Sequence, residues 1–140
     1  MNTAFLLDTN ICIYIRRRRP PEILHRFQRL KLGEAAISII TYGELIYGAE
    51  KSAERDAAMK LLDELAGLLP VLPLPVNAAH TYGSLRAELE ARGQTIGNND
   101  LWIAAHAKAA KLILVTNNER EFQRVSGLSV QNWVKSTGAA

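Results

Sequence analysis

The chain has 140 residues, of which 48% are hydrophobic and 22% charged, and its formal net charge is +3 at pH 7. These values are ordinary for one globular domain that builds its own hydrophobic core. The single cysteine excludes a disulfide framework and a cysteine-rich zinc site, which suits a reducing cytosol. Charged residues interrupt every apolar stretch before the roughly 20 residues that a transmembrane helix needs, so no membrane association is expected.

The first half of the chain predicts two buried strands, each followed by helices. The apolar run "AFLL" ends directly at Asp8, and helical spacing begins after it in "TNICIYIRR". In chain order the elements are a strand at 4–7, that helix, a charged loop at 16–21 in which the two prolines stop any helix, an amphipathic helix at 22–32, a strand at 35–40, and helices at 41–52 and 53–69.

The second half predicts three more strands between helices. The elements are an edge strand at 71–75, a helix at 77–93 closed by Gly93, a helix at 100–110, a strand within 111–118, a short helix at 119–125 and a last edge strand at 128–133. Strands that alternate with helices predict an α/β fold with a mainly parallel central sheet of four to five strands and helices on both faces. Ligands of such sheets bind at the carboxyl ends of the strands.

Several acids are predicted to lie at that edge. Asp8 follows the first strand, Glu44 lies on the first turn of the helix after the second strand, and Asp100 starts a helix that leads to the fourth. Converging carboxylates raise one another's pKa unless a hard cation such as Mg²⁺ or Mn²⁺ offsets their charge. A metal site of this kind suits the hydrolysis of phosphodiesters.

Each acid also has a purely structural explanation. Asp8 can cap the helix that begins near Thr9, and Thr41 with Glu44 fits a capping box. Asp100 can complement the dipole of its helix. Capping does not, however, require several acids on one edge of one sheet, which keeps the metal-site hypothesis open.

Four sequence blocks carry a more specific pattern. They are "LLDTNICIYI", "SIITYGELIYGAEKS", "GNNDLWIAAHA" and "LVTNNEREFQRV". Together, and in this order, they closely resemble the PIN-domain ribonucleases, specifically the VapC-type toxins of toxin–antitoxin pairs. The resemblance implies a three-layer α/β/α sandwich forming a single domain over residues 1–135, followed by a short tail at 136–140, in the cytoplasm of a bacterium. It also implies Mg²⁺ or Mn²⁺ dependence, endonucleolytic cleavage of RNA, a VapB-type antitoxin and a homodimeric toxin that assembles further with antitoxin on operator DNA.

The resemblance assigns roles to individual residues. It implies that Asp8 and Asp100 bind the metal directly, and that Glu44 acts on the metal through water. Thr9 and Asn10 match the "TN" that shapes the family's site. We expect one Mg²⁺ held by the protein, with a second recruited by RNA phosphate.

The fourth acidic position departs from the commonest family pattern. Many relatives carry Asp directly after the fourth strand, where this chain has Asn117 and Asn118. Glu121, or else Glu119, is expected to supply the fourth catalytic carboxylate. The supporting polar residues there are Thr116, Asn117 and Asn118.

Substrate and partners are also expected from the resemblance. RNA is expected to contact the basic run that follows the first helix, formed by Arg16, Arg17, Arg18 and Arg19. The implied substrate is tRNA, cut in the anticodon loop. A basic residue of the antitoxin is expected to enter the acidic pocket while an apolar groove holds its helix. The alternative hypothesis is a non-catalytic PIN-fold module that acts with its antitoxin as a co-repressor on operator DNA.

Overall fold

The computed structural model of the chain describes residues 2–134, and the expected tail at 136–140 lies outside them. Five strands form one sheet: β1 (Phe5–Leu7), β2 (Ala35–Ser38), β3 (Val71–Leu72), β4 (Ile113–Val115) and β5 (Val130–Gln131). All neighbours pair in parallel, in the order β3-β2-β1-β4-β5. The expected parallel sheet is confirmed, and both predicted edge strands lie at its edges.

Helices connect the strands throughout the described part of the chain. They are α1 (Thr9–Arg17), α2 (Pro21–Gln28), α3 (Ile39–Lys51), α4 (Arg55–Leu68), α5 (Ala78–Ala91), α6 (Asn98–Ala109) and α7 (Glu119–Phe122). Among residues 2–134, no helix combines the length and the apolar character that crossing a bilayer requires.

The hydrophobic core has two halves, one on each face of the sheet. On β1, fully buried Leu7 faces a cluster formed with α1 and α4, whereas Leu6 faces a cluster formed with α5 and α6. This alternation follows from the two-residue period of a strand. Burial of each leucine stabilises the fold by about 1.5–3 kcal/mol. The expected three-layer α/β/α sandwich is therefore confirmed.

The second strand ends earlier than its apolar run predicts. β2 stops at Ser38, whose hydroxyl caps α3 by accepting a 3.1 Å hydrogen bond from the backbone N–H of Ile40. A hydroxyl at this position satisfies a helix donor that would otherwise lack a partner, so the helix starts at Ile39 and not at 41. The capping box predicted for Thr41 and Glu44 is wrong, and Glu44 lies on the second turn of α3.

Other boundaries differ for local reasons. Pro21 begins α2 because proline fits the first position of a helix, and that helix ends at Gln28, short of the predicted 32. α6 begins at Asn98, so Asp100 lies within its first turn. Gly93 follows α5 with φ of 65°, the left-handed geometry that closes a helix, as predicted.

The strand order places a topological switch at the centre of the sheet. From β1 the chain proceeds to β2 and β3 on one side, and then returns to place β4 on the other side of β1. Connections leave the carboxyl ends of β1 and β4 in opposite directions, which opens a crevice between them. Asp8 follows β1 at this crevice, and Thr116 follows β4.

Candidate active site

Asp8 lies buried at the crevice, with 5% of its surface exposed. It is the N-cap of α1, and its Oδ1 accepts a 3.0 Å hydrogen bond from the backbone N–H of Ile11. The Thr116 side chain also bonds the Asp8 carboxylate, but burial outweighs these bonds and raises the pKa of Asp8 to about 6. The negative charge of Glu44 acts in the same direction. Capping is therefore confirmed for Asp8, and it coexists with a charge that the fold leaves poorly neutralised.

Glu44 is held by two side chains from other segments. The Thr9 hydroxyl donates a 2.6 Å hydrogen bond to its Oε1, and Asn99 Nδ2 donates a 3.4 Å bond to its Oε2. Thr9 is the first residue of α1 and Asn99 belongs to the first turn of α6. Glu44 thereby joins both helix N-termini at the carboxyl edge of the sheet.

Asp100 and Glu121 form the other half of the site. Burial raises the pKa of Asp100 to about 7, with further contributions from the charge of Glu121, a hydrogen bond with it, and the charges of Glu44 and Asp8. Glu121 accepts a 3.2 Å hydrogen bond from the backbone N–H of Gly97 and another from the Asn118 side chain. The four acids therefore lie close enough to repel one another, as their convergence predicts.

The structure distinguishes the supporting residues. Thr9, Thr116 and Asn118 contact the acids directly, and the backbone N–H of Asn10 bonds Asp8 while its side chain is exposed. The Asn117 side chain points elsewhere and donates a 2.8 Å hydrogen bond to the Tyr14 hydroxyl. In the commonest family pattern Asp lies at this point of the chain, whereas here Asn118 orients Glu121.

Two contributors were not predicted from the sequence. Asn99 and Gly97 both bond acids of the site, and both stand in the "GNND" segment that contains Asp100. Their place directly before Asp100 was the available signal. A side-chain amide there reaches the acid of another helix only because α3 and α6 pack together.

The acids are not arranged as a ready metal cage. Among residues 2–134, no group of three or more His, Cys, Asp or Glu side chains is arranged so that it could hold a metal ion. The donor set is nevertheless all carboxylate, which suits a hard cation and excludes a soft one. The raised pKa values of Asp8 and Asp100 show the electrostatic cost that a bound cation would offset.

The arginine run does not form one surface, because the end of α1 turns its members apart. Arg16 lines a groove with Thr9 and Glu44. Arg18 lines a second cavity on the side of α2, and Arg17 and Arg19 line a hollow with Tyr14. The four arginines thus line three different depressions, and their contact with RNA stays a prediction.

The groove beside Glu44 has a volume of about 380 Å³ and runs between α1, α3 and α4. Its floor is mostly small or aliphatic, with Ile13, Gly48, Ala58 and Leu61 among the lining residues. Glu44 of the site lines the groove together with Arg16. The antitoxin prediction names no surface, and this largely apolar groove, which reaches Glu44, is a candidate for it.

Comparison with known proteins agrees with this geometry. The PIN domain profile matches residues 5–128. Ribonuclease VapC2 of Haemophilus influenzae strain Rd is 47% identical over 131 residues, which cover 93% of this chain and 98% of that protein. The tRNA(fMet)-specific endonuclease VapC of Shigella flexneri is 43% identical over 129 residues, which cover 92% of this chain and 97% of that protein.

Solved structures show the same fold. A chain of DNA-bound VapBC from Salmonella typhimurium superposes with a TM-score of 0.88 at 40% identity, covering 94% of this chain and 98% of that one. VapBC2 from Rickettsia felis, bound to a fragment of its promoter, gives a TM-score of 0.85 at 37% identity, covering 94% of this chain and 99% of that one.

Proposed function

Because the chain belongs to the PIN-domain family, among its VapC-type toxins, we propose that it is a Mg²⁺-dependent endoribonuclease that cleaves tRNA and is neutralised by a VapB-type antitoxin. Mn²⁺ is the alternative cation. The name of one relative specifies a ribonuclease, and that of another specifies a tRNA endonuclease.

The observation that carries the proposal is the electrostatic coupling of acids from distant segments. Asp100 experiences the charges of Glu121, Glu44 and Asp8 at once, although these residues lie on four different elements or their termini. Folding alone gains nothing by collecting like charges, since each raises the free energy of ionising the others. Such a collection is typical of a site that binds a cation.

The residues fit the cation that the family implies. Asp8 and Asp100 would hold it directly, with Glu44 acting through water and Glu121 completing the acidic set. When bound, Mg²⁺ offsets the charge of the acids and supplies the positive charge that phosphodiester hydrolysis requires. Thr9, Asn99 and Asn118 orient Glu44 and Glu121, so that fewer side-chain rotations remain to be lost when ligand binds.

The proposed antitoxin site is the groove between α1, α3 and α4. Its apolar lining suits one face of an amphipathic helix, and Glu44, which shares the lining with Arg16, suits a basic side chain. An Arg or Lys placed there would pair with Glu44 or Asp8 and compete with the cation. One surface would thus account for both affinity and inhibition.

The proposed homodimer uses α3. Ile39, Gly43 and Tyr47 are spaced four residues apart and form an exposed stripe, with Ile39 43% and Tyr47 63% exposed. Large apolar side chains that remain exposed on one helix face suit a protein interface. This stripe lies outside the antitoxin groove, so both contacts can exist together.

The co-repressor alternative loses the feature that motivated it. The Asn pair raised the question of a missing fourth acid, but Asn118 bonds Glu121, and Glu121 adds its charge to the site. The DNA-bound complexes of relatives favour operator binding as an additional role of the toxin–antitoxin assembly.

The test is digestion of a total tRNA pool by antitoxin-free protein, with Mg²⁺, with EDTA, and with Asp100→Asn. We expect discrete tRNA fragments only in the reaction that contains wild-type protein and Mg²⁺. Sequencing of the fragment ends would show whether the cut lies in the anticodon loop. Intact RNA in all three reactions, from folded protein, would overturn the nuclease proposal.

A further inference from the structure

A hollow of about 500 Å³ lies at the end of α1, and its lining shares no residue with the antitoxin groove. Its lining residues are Tyr14, Arg17, Arg19, Pro20 and Pro21. Two cations, one aromatic ring and two proline rings therefore surround one open space. Arg17 and Arg19 belong to the basic run that is expected to contact RNA, and the hollow gives that expectation a place.

The hollow is connected to the catalytic edge. Asn117 donates its 2.8 Å hydrogen bond to the Tyr14 hydroxyl, and the preceding residue, Thr116, bonds Asp8. α1 itself starts directly after Asp8 and has nine residues, a rise of roughly 13 Å. That length corresponds to about four nucleotides of a stacked strand at 3.4 Å each.

The two arginines of the hollow have no competing partner in the described part of the chain. Arg17 and Arg19 are exposed, and neither side chain forms an ion pair with an acid among residues 2–134. Arg55, in contrast, is paired with Glu50 and Asp56. The charges of Arg17 and Arg19 are therefore available to an anion.

The acids of the site repel RNA, so cations beside the site must attract it. We propose that the hollow binds single-stranded RNA a few nucleotides from the scissile phosphate: Arg17 and Arg19 contact phosphates, and a base stacks on Tyr14. The inference rests on the proposed nuclease function and identifies its substrate path. Unpaired bases suit the hollow, because stacking on a side chain requires a base that is free of its duplex.

The test measures binding without cleavage. A short fluorescein-labelled single-stranded RNA is titrated with the full chain carrying Asp8→Asn, in EDTA, at several salt concentrations. We expect Arg17→Ala with Arg19→Ala to weaken binding about tenfold at low salt, and to reduce the slope of log affinity against log salt by about 1.4. The double Lys variant keeps both charges and should retain the slope.

Matched controls separate the hollow from net charge. Arg29→Ala with Lys60→Ala removes two exposed cations elsewhere and should lower affinity by less than about twofold. Tyr14→Leu should weaken binding at least about fivefold, whereas Tyr14→Phe keeps the ring and should not. Thermal melting verifies that each variant is folded.

The proposal is overturned if the Arg17/Arg19 double variant binds RNA like its charge-matched control, or if it loses affinity for duplex DNA and not for single-stranded RNA. Its failure is distinct from that of the nuclease proposal. If cleavage depends on Mg²⁺ but the arginine substitutions do not change RNA affinity, the nuclease proposal stands and the hollow proposal fails. If RNA binding depends on the two arginines but no RNA is cleaved, the hollow proposal stands and the nuclease proposal fails.

Discussion

Thr9 donates a 2.6 Å hydrogen bond to Glu44, a residue of another helix in the same layer. The bond crosses from the start of α1 to the second turn of α3, and it leaves Oε2 of Glu44 for Asn99. Glu44 is thus oriented from two sides at an edge where carboxylates repel one another. The Thr9 hydroxyl therefore helps to fix the orientation of the Glu44 carboxylate, although the two residues are far apart in the sequence.

Loss of that hydroxyl should affect catalysis more than folding. Thr9→Val keeps the shape of the side chain but removes the donor, so Glu44 can turn away from Asp8 and Asp100. We expect kcat/KM for RNA cleavage to fall roughly tenfold, equivalent to about 1.4 kcal/mol, with an unchanged melting temperature. Thr9→Ser keeps the donor and should remain near wild type. Equal activity of the Val and Ser variants would contradict a role for this bond.

The acids should make the metal-free protein less stable as pH rises. The pKa of Asp8 is raised from 3.8 to about 6, and that of Asp100 from 3.8 to about 7. Between about pH 4 and pH 7 the folded chain therefore binds more protons than the unfolded chain. The free energy of unfolding therefore falls from about pH 4 to pH 7 and then levels off. We expect Asp8→Asn to remove on the order of 3 kcal/mol of this fall.

Denaturant unfolding in EDTA at several pH values measures the effect. The control is Asp63→Asn on the exposed side of α4, which should follow wild type. A stability curve for Asp8→Asn that runs parallel to wild type at every pH would show that the burial of Asp8 carries no such cost.

Mg²⁺ should reverse this destabilisation. A ligand that binds only the folded state stabilises it by about 2.7 kcal/mol at a hundred times its Kd. We expect the melting temperature of wild type to rise with Mg²⁺ and more strongly at pH 8 than at pH 6, since binding displaces protons from Asp8 and Asp100. Asp8→Asn and Asp100→Asn should show no such rise in differential scanning calorimetry. An equal rise in wild type and both variants would place the cation elsewhere.

Glu121, rather than Glu119, should act as the fourth acid. The charge of Glu121 raises the pKa of Asp100, so Glu121→Gln should lower that pKa and shift the acidic limb of the pH–rate profile to lower pH. Glu121→Gln should also reduce the activity on the plateau of the pH–rate profile by roughly 10- to 100-fold, because the cation binds more weakly. Glu119→Gln, on the same short helix, is the matched control. A profile shift with Glu119→Gln instead would reassign the acid.

A side chain introduced at Gly48 should separate cleavage from inhibition. A Cβ at this helical position meets no atom within 4 Å, and the position lines the groove proposed for the antitoxin. Gly48→Leu should therefore fold, gain up to about 1 kcal/mol of helix stability, and keep its nuclease activity. Its inhibition by antitoxin should weaken at least about tenfold. Gly83→Leu, which is equally open on α5, should be inhibited normally.

Much of the fold could be predicted because its signals are local. "AFLL" before Asp8 identifies β1, and Gly93 identifies the end of α5. The start of α3 could not be predicted in this way, since "AAISII" is equally compatible with a strand throughout and only the Ser38 cap decides the boundary. The acids could be named from the family blocks. The bonds of Asn99 and Gly97 could not, because they depend on packing between α3, α6 and α7.

The pairing of β1 with β4 also has a consequence for biosynthesis. The ribosome synthesises Asp8 and Glu44 long before Asp100 and Glu121. The central strand β1 can pair with β4 only after β4 has been synthesised. Contacts between such distant segments form only after both have been synthesised. On the proposed function, a nascent chain synthesised only as far as α5 carries half of the acidic set. It therefore does not attack the tRNAs that deliver its own amino acids. On that function, the chain gains its complete acidic set only once Glu121 of α7 has been synthesised.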